Sequence, residues 1–139
     1  MTTCSLCLQD GGEVLFRDQQ LRVVLVDDAH YPGFCRVIWQ AHVKEMTDLA
    51  PEARARLMAV LWEVEAALIE SMAPDKVNLA SLGNMTPHLH WHLIPRFVDD
   101  AHFPEAIWAP AQRPGVPPPA RVALLPALRA AIVRRLASV

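Results

Sequence analysis

The chain has 139 residues, enough for one domain with a single core, and its composition, 53% hydrophobic and 20% charged, excludes wholesale disorder. A formal net charge of -2, without any run of five or more Lys/Arg, excludes the basic footprint of a nucleic-acid partner but leaves room for a small anionic ligand. No apolar stretch approaches the roughly 20 residues of a membrane span, Met1 to Cys4 has no leader features, and an odd count of 3 cysteines favours a reducing compartment, so the cytoplasm is the expected location.

Three β-rich runs come first. Val14 to Arg17 is short, Leu21 to Val26 stops at the turn-forming Asp27-Asp28, and Phe34 to Gln40 follows the break at Tyr31-Pro32-Gly33. A helix opens at Pro51, where a missing N–H costs nothing. Along it Leu57, Leu61, Val64, Leu68 and Met72 make one apolar stripe, until Pro74 and Asp75 end it. Lys76 to Ala80 and His88 to Pro95 predict two further strands. This order argues for an α+β fold, a mainly antiparallel sheet of about five strands covered by the long helix. Beyond Trp108 a stiff connector with Pro110, Pro114, Pro117, Pro118 and Pro119 leads to one C-terminal helix over Ala120 to Leu136.

The chemistry concentrates in His88-Leu89-His90-Trp91-His92, which holds 3 of the 6 histidines. A strand sends alternate side chains to opposite faces, so the three imidazoles share one face at about 6.8 Å spacing while Leu89, Trp91 and Leu93 pack on the other. Burying three imidazoles as mere packing requires three sets of hydrogen-bond partners. They suit either a zinc ion that activates water or a histidine nucleophile with proton-managing neighbours. The surroundings favour the nucleophile. Asn78, Gly83 and Asn84 precede the triad and Arg96 follows it, giving amides, a close backbone approach and a cation rather than the carboxylates expected around a metal's ligands. Imidazole also keeps a neutral lone pair near pH 7. Cys4 and Cys7 have a C-x-x-C spacing that suits a zinc pair, a redox pair or two plain thiols, and Cys35 reads as a small buried residue.

His88-Leu89-His90-Trp91-His92-Leu93-Ile94-Pro95-Arg96 resembles the signature of the histidine triad (HIT) nucleotide hydrolases and transferases, and its Pro-Arg ending is similar to the dinucleoside polyphosphate hydrolase branch. Pro32-Gly33-Phe34 through Arg36-Val37-Ile38 to His42, and Cys4-Ser5-Leu6-Cys7, resemble further blocks of that family, so the likeness covers residues 4 to 97. It implies that 1–109 is a nucleotide-binding catalytic domain, with 110–139 a connector and helix packed on it. His90 would attack the α-phosphorus and carry the nucleotidyl group, His92 would bind phosphate and assist the leaving group, and His88 would orient the site. Gly83 and Asn84 match a Gly-Gln element, with Asn in place of the commoner Gln. Asn78 matches an amide near ribose or phosphate, and Asp27 or Asp28 an acid on the ribose hydroxyls. In zinc-containing members, the positions of His42 and His88 complete a structural site with Cys4 and Cys7. The resemblance also implies a nucleotide substrate, a homodimer and no organic cofactor. A nucleotide-binding regulatory module with little turnover, and a zinc hydrolase using the triad as ligands, are the alternatives.

Overall fold

In a computed structural model, which describes residues 3–139, five strands form one sheet: β1 (Glu13–Arg17), β2 (Leu21–Leu25), β3 (Cys35–Trp39), β4 (Lys76–Ala80) and β5 (His90–Arg96). Met1 and Thr2, part of the stretch read above as lacking a leader, lie outside the described residues. The order is β1-β2-β3-β5-β4, and every neighbouring pair is antiparallel. The helices are α1 (Ser5–Leu8), α2 (Pro51–Met72), α3 (Pro119–Val122) and α4 (Leu125–Leu136), with a 3-10 turn at Met46–Asp48. This is the expected α+β architecture. Among the described residues no helix is long and apolar enough to cross a membrane.

Alternation along the strands gives the sheet two different faces. Leu21, Val23, Leu25, Cys35, Val37 and Leu93 are buried against the α2 stripe, where Leu57, Leu61, Val64 and Leu68 supply the facing layer. Each fully buried aliphatic side chain of this kind contributes roughly 1.5–3 kcal/mol. Helix α4 packs beside α2 and against β1, and adds Leu128, Ile132 and Leu136 to the same core. Helix α2 ends at Ala73, whose left-handed backbone (φ 47°) lets its N–H cap the carbonyl of Ile69 before Pro74. At the entrance to β3, Gly33 (φ 94°) sits so close to Met72 that a Cβ there would collide with the thioether.

The opposite face carries the alternate residues, including Arg22, Val24, Arg36, Ile38, His90 and His92. Cross-strand register sets Ile38 opposite His90 and Arg36 opposite His92. Leu6 of α1 covers Val24 and Ile38 at one end of this face. Tyr31, Phe34 and Ile94 form a second small cluster beyond it.

Two expectations are corrected here. The single C-terminal helix is two, because Pro126 has no N–H for the carbonyl of Val122 and its ring crowds that carbonyl. Val122, the last residue of α3, is exposed. The triad strand starts at His90 and not at His88. Leu89 donates its N–H to the Val43 carbonyl and accepts from Trp39 N–H, while His88 N–H closes a turn onto Thr86. The chain thus crosses a loop before it enters the regular ladder.

Candidate active site

His90 and His92 project from β5 onto the face that α2 leaves open, with ring centroids 4.9 Å apart. His90 Nδ1 lies 2.5 Å from the backbone carbonyl of His88. A carbonyl only accepts, so Nδ1 carries the proton and Nε2 keeps the lone pair. His92 stands between the edges of Phe34 at 5.6 Å and Trp108 at 5.3 Å, and its Nδ1 is buried without a hydrogen-bond partner. Burial lowers the His90 pKa, against the pull of the His88 carbonyl, and the Arg36 charge lowers it further. Burial, then His90, then Arg36 push His92 down to about 4. Both rings are therefore neutral at pH 7, the state in which imidazole is a nucleophile.

His88 leaves the triad face. Its Nε2 donates to the Trp39 carbonyl at 2.5 Å, which turns Nδ1 toward Cys4 Sγ (3.4 Å), Cys7 Sγ (3.5 Å) and His42 Nδ1 (3.2 Å). Cys7 Sγ lies 3.3 Å from His42 Nδ1, and all four ligand atoms fall within 4.8 Å of one another. Two thiols and two imidazoles that converge this closely make a donor set suited to a tetrahedral zinc ion, and the Trp39 carbonyl fixes the tautomer such a site needs. His88 thus has both ring nitrogens committed away from His90 and His92. The three imidazoles do not converge on one ion, which corrects the triad-ligand alternative. His88 still meets the nucleophile, but through its carbonyl rather than its ring.

The loop between β4 and β5 forms the near wall. Gly83 (φ 77°) is half-buried and borders one cleft with Ser81, Lys44 and His90, while Asn84 is exposed. Asp27 is exposed at the end of β2 and shares a cleft with Asp28, Gly12 and Pro32. Asp28 Oδ1 accepts the His30 N–H, the turn role expected of this pair. Asn78 and Arg96 lie on the open face but face each other: Arg96 Nη1 donates to Asn78 Oδ1 at 2.7 Å. Arg96 is buried, ion-paired to Asp100 at 2.8 Å and donating to the Glu105 carbonyl. Its expected place as a phosphate cation is corrected, since its donors already brace the segment after β5.

Three residues of the site escaped the sequence reading. Arg36 supplies the cation, directly across from His92. Ser81 donates its hydroxyl to the His90 carbonyl at 2.7 Å. Trp108, 52% exposed, is carried back onto His92 by the segment that Arg96 and Asp100 hold. Arg36 did leave a signal, a lone charge inside an otherwise apolar strand; the other two depend on loop paths with no pattern in sequence.

The family model of the HIT domain matches residues 9–99. A solved histidine triad protein from Bradyrhizobium japonicum is similar over 90% of this chain and 93% of its own, with 31% identity and a TM-score of 0.74. A zinc-bound histidine triad family protein from Mycobacterium smegmatis covers 99% of this chain and 98% of its own, at 23% identity and a TM-score of 0.65, and so shares the fold. Among curated proteins, the AP-4-A phosphorylase of Mycobacterium tuberculosis is 28% identical over 100 residues, covering 68% of this chain and 51% of that protein. The chain spans about half the length of the curated relatives it matches.

Proposed function

The chain belongs to the HIT domain family, and from that premise we propose that it is a nucleotide hydrolase or nucleotidyl transferase working through a nucleotidyl-His90 intermediate. The observation that carries this reading is the bond between His90 Nδ1 and the His88 carbonyl, which leaves Nε2 unprotonated on an open face beside a second neutral imidazole. The substrate class is a nucleoside phosphate derivative, either a dinucleoside polyphosphate or a nucleoside phosphoramidate.

The reaction runs in two steps. The Nε2 lone pair of His90 forms a P–N bond to the α-phosphorus, and the bond from phosphorus to the leaving oxygen or nitrogen breaks with its electron pair on the leaving atom. The neutral His92 ring offers its N–H as a hydrogen bond to that atom, which takes its proton from water. Water or an acceptor then attacks phosphorus as it gives its proton to the His92 lone pair, the P–N electron pair goes back to His90, and His92 releases the proton to solvent. In this reading Gly83 allows the backbone to approach the phosphate, Asn84 offers an amide to the leaving group, and Asp27 takes a ribose hydroxyl.

Cys4, Cys7, His42 and His88 hold a structural zinc in this reading. A zinc ion with four protein ligands has no open position, and its contribution is to stability. The protein works as a cytoplasmic homodimer. A panel of adenylylated and guanylylated polyphosphates and phosphoramidates, assayed for nucleoside monophosphate release, tests the function. Release from at least one class is expected. Nucleotide binding without release from any member would favour a regulatory module instead.

A further inference from the structure

Arg36 has a place that the fold alone does not account for. It is the second residue of β3, where its neighbours Cys35, Val37 and Ile38 are fully buried. The register sets it across from His92 on the open face, one row from His90. Seven other arginines form ion pairs with a carboxylate. Arg36 forms none among the described residues. Its Nη1 donates to the Gly11 carbonyl at 3.1 Å, and its guanidinium carbon sits 5.5 Å over the Phe34 ring. Its Nε is buried without any hydrogen-bond partner.

A buried donor left without an acceptor is destabilising, and more so when the group is charged. Stacking on Phe34 and the bond to Gly11 fix the plane of the guanidinium without neutralising it. Among the described residues the Asp28 carboxylate acts on it only through space, and no carboxylate reaches ion-pair distance. A guanidinium is the group whose fork of donors matches two oxygens of a phosphate.

We infer that Arg36 binds the non-bridging oxygens of the substrate's α-phosphate, holding the phosphorus beside His90 and His92. This rests on the proposed function for the identity of the phosphate, and it assigns to β3 the cationic task that Arg96 does not perform. The same contact serves both transfer steps, because the non-bridging oxygens stay on phosphorus while it passes from the leaving group to His90 and on to water. Charge that develops on those oxygens meets a donor already in position.

The test compares binding of adenosine with AMP, and of guanosine with GMP, by calorimetry on the full chain. Wild type is expected to prefer the monophosphate of the base it accepts. Arg36→Met should cut monophosphate affinity by about tenfold to a hundredfold, the size of a lost charge-assisted contact, and leave nucleoside affinity unchanged. Arg36→Lys, which keeps the charge but not the fork, should fall between them and gives the readout if the Met variant fails to fold. A purely structural Arg36 would lower the melting temperature while leaving the monophosphate-to-nucleoside ratio at its wild-type value, and that result overturns the inference. So would a wild type with no preference for either monophosphate. An Arg36-dependent preference in a protein that forms no nucleotidyl-His90 would keep the phosphate site and remove the catalytic reading.

Discussion

Asp100 and Arg96 are each only 3% exposed at the side chain, and the pair is joined by bonds of 2.8 Å and 3.0 Å. Burial raises the Asp100 pKa, but Arg96 and the backbone N–H groups of Phe97, His102 and Phe103 outweigh it and hold the carboxyl well below the usual carboxylate range. A depressed pKa contributes stability above the unfolded value near 3.8, and that contribution is lost as pH falls toward the folded value. Asp100→Asn leaves a buried guanidinium without its counter-ion and should cost about 3–5 kcal/mol in urea unfolding at pH 7. The variant should also lose less stability than wild type between about pH 4 and pH 2. Equal pH slopes would remove Asp100 from the ion-pair role. The two arginines mark the limit of reading by neighbourhood. Arg96 adjoins the triad in sequence and is occupied elsewhere, whereas Arg36 is 56 positions from His92 and faces it, a relation that only strand register supplies.

Helix α1 is one short turn, too short to persist alone, and is anchored where Cys4 and Cys7 meet His42 and His88. Its Leu6 caps Val24 and Ile38, so the anchor also seals one end of the open face. Cys4→Ser combined with Cys7→Ser should abolish stoichiometric zinc, lower the melting temperature by several degrees, and spare most activity per folded molecule. Zinc that stays stoichiometric without either thiol would end the structural-zinc reading. At this scale much was legible. Period-two histidines mark a strand whatever surrounds it, and the α2 stripe from Leu57 to Met72 marks the helix that covers it. The start of β5 was not, because Leu89 is claimed by Val43 and Trp39, far away in sequence. The break between α3 and α4 was in plain view at Pro126 and only needed the missing N–H to be counted.

Across the whole molecule, β4 is an edge strand, and an unpaired edge is a template for another chain. Beside it the outer side of α2 exposes Trp62 at 62% and Ile69 at 53%, and Leu79 projects from β4 itself. A homodimer that pairs this edge across a two-fold axis would cover all three. Sedimentation should give twice the 15.5 kDa protomer mass, and Trp62→Glu with Ile69→Glu should shift it toward the monomer. A wild-type monomer at micromolar concentration would remove the dimer without touching the chemistry at His90.

The chemistry has its own direct measurement. Protein quenched during turnover under denaturing, non-acidic conditions, then digested and sequenced by mass spectrometry, should carry one nucleoside monophosphate per protomer, on His90. His90→Ala should carry none and lose at least about a thousandfold in turnover, while keeping its fold and its nucleotide affinity. A label on another side chain, or undiminished turnover by His90→Ala, would contradict His90 as the nucleophile.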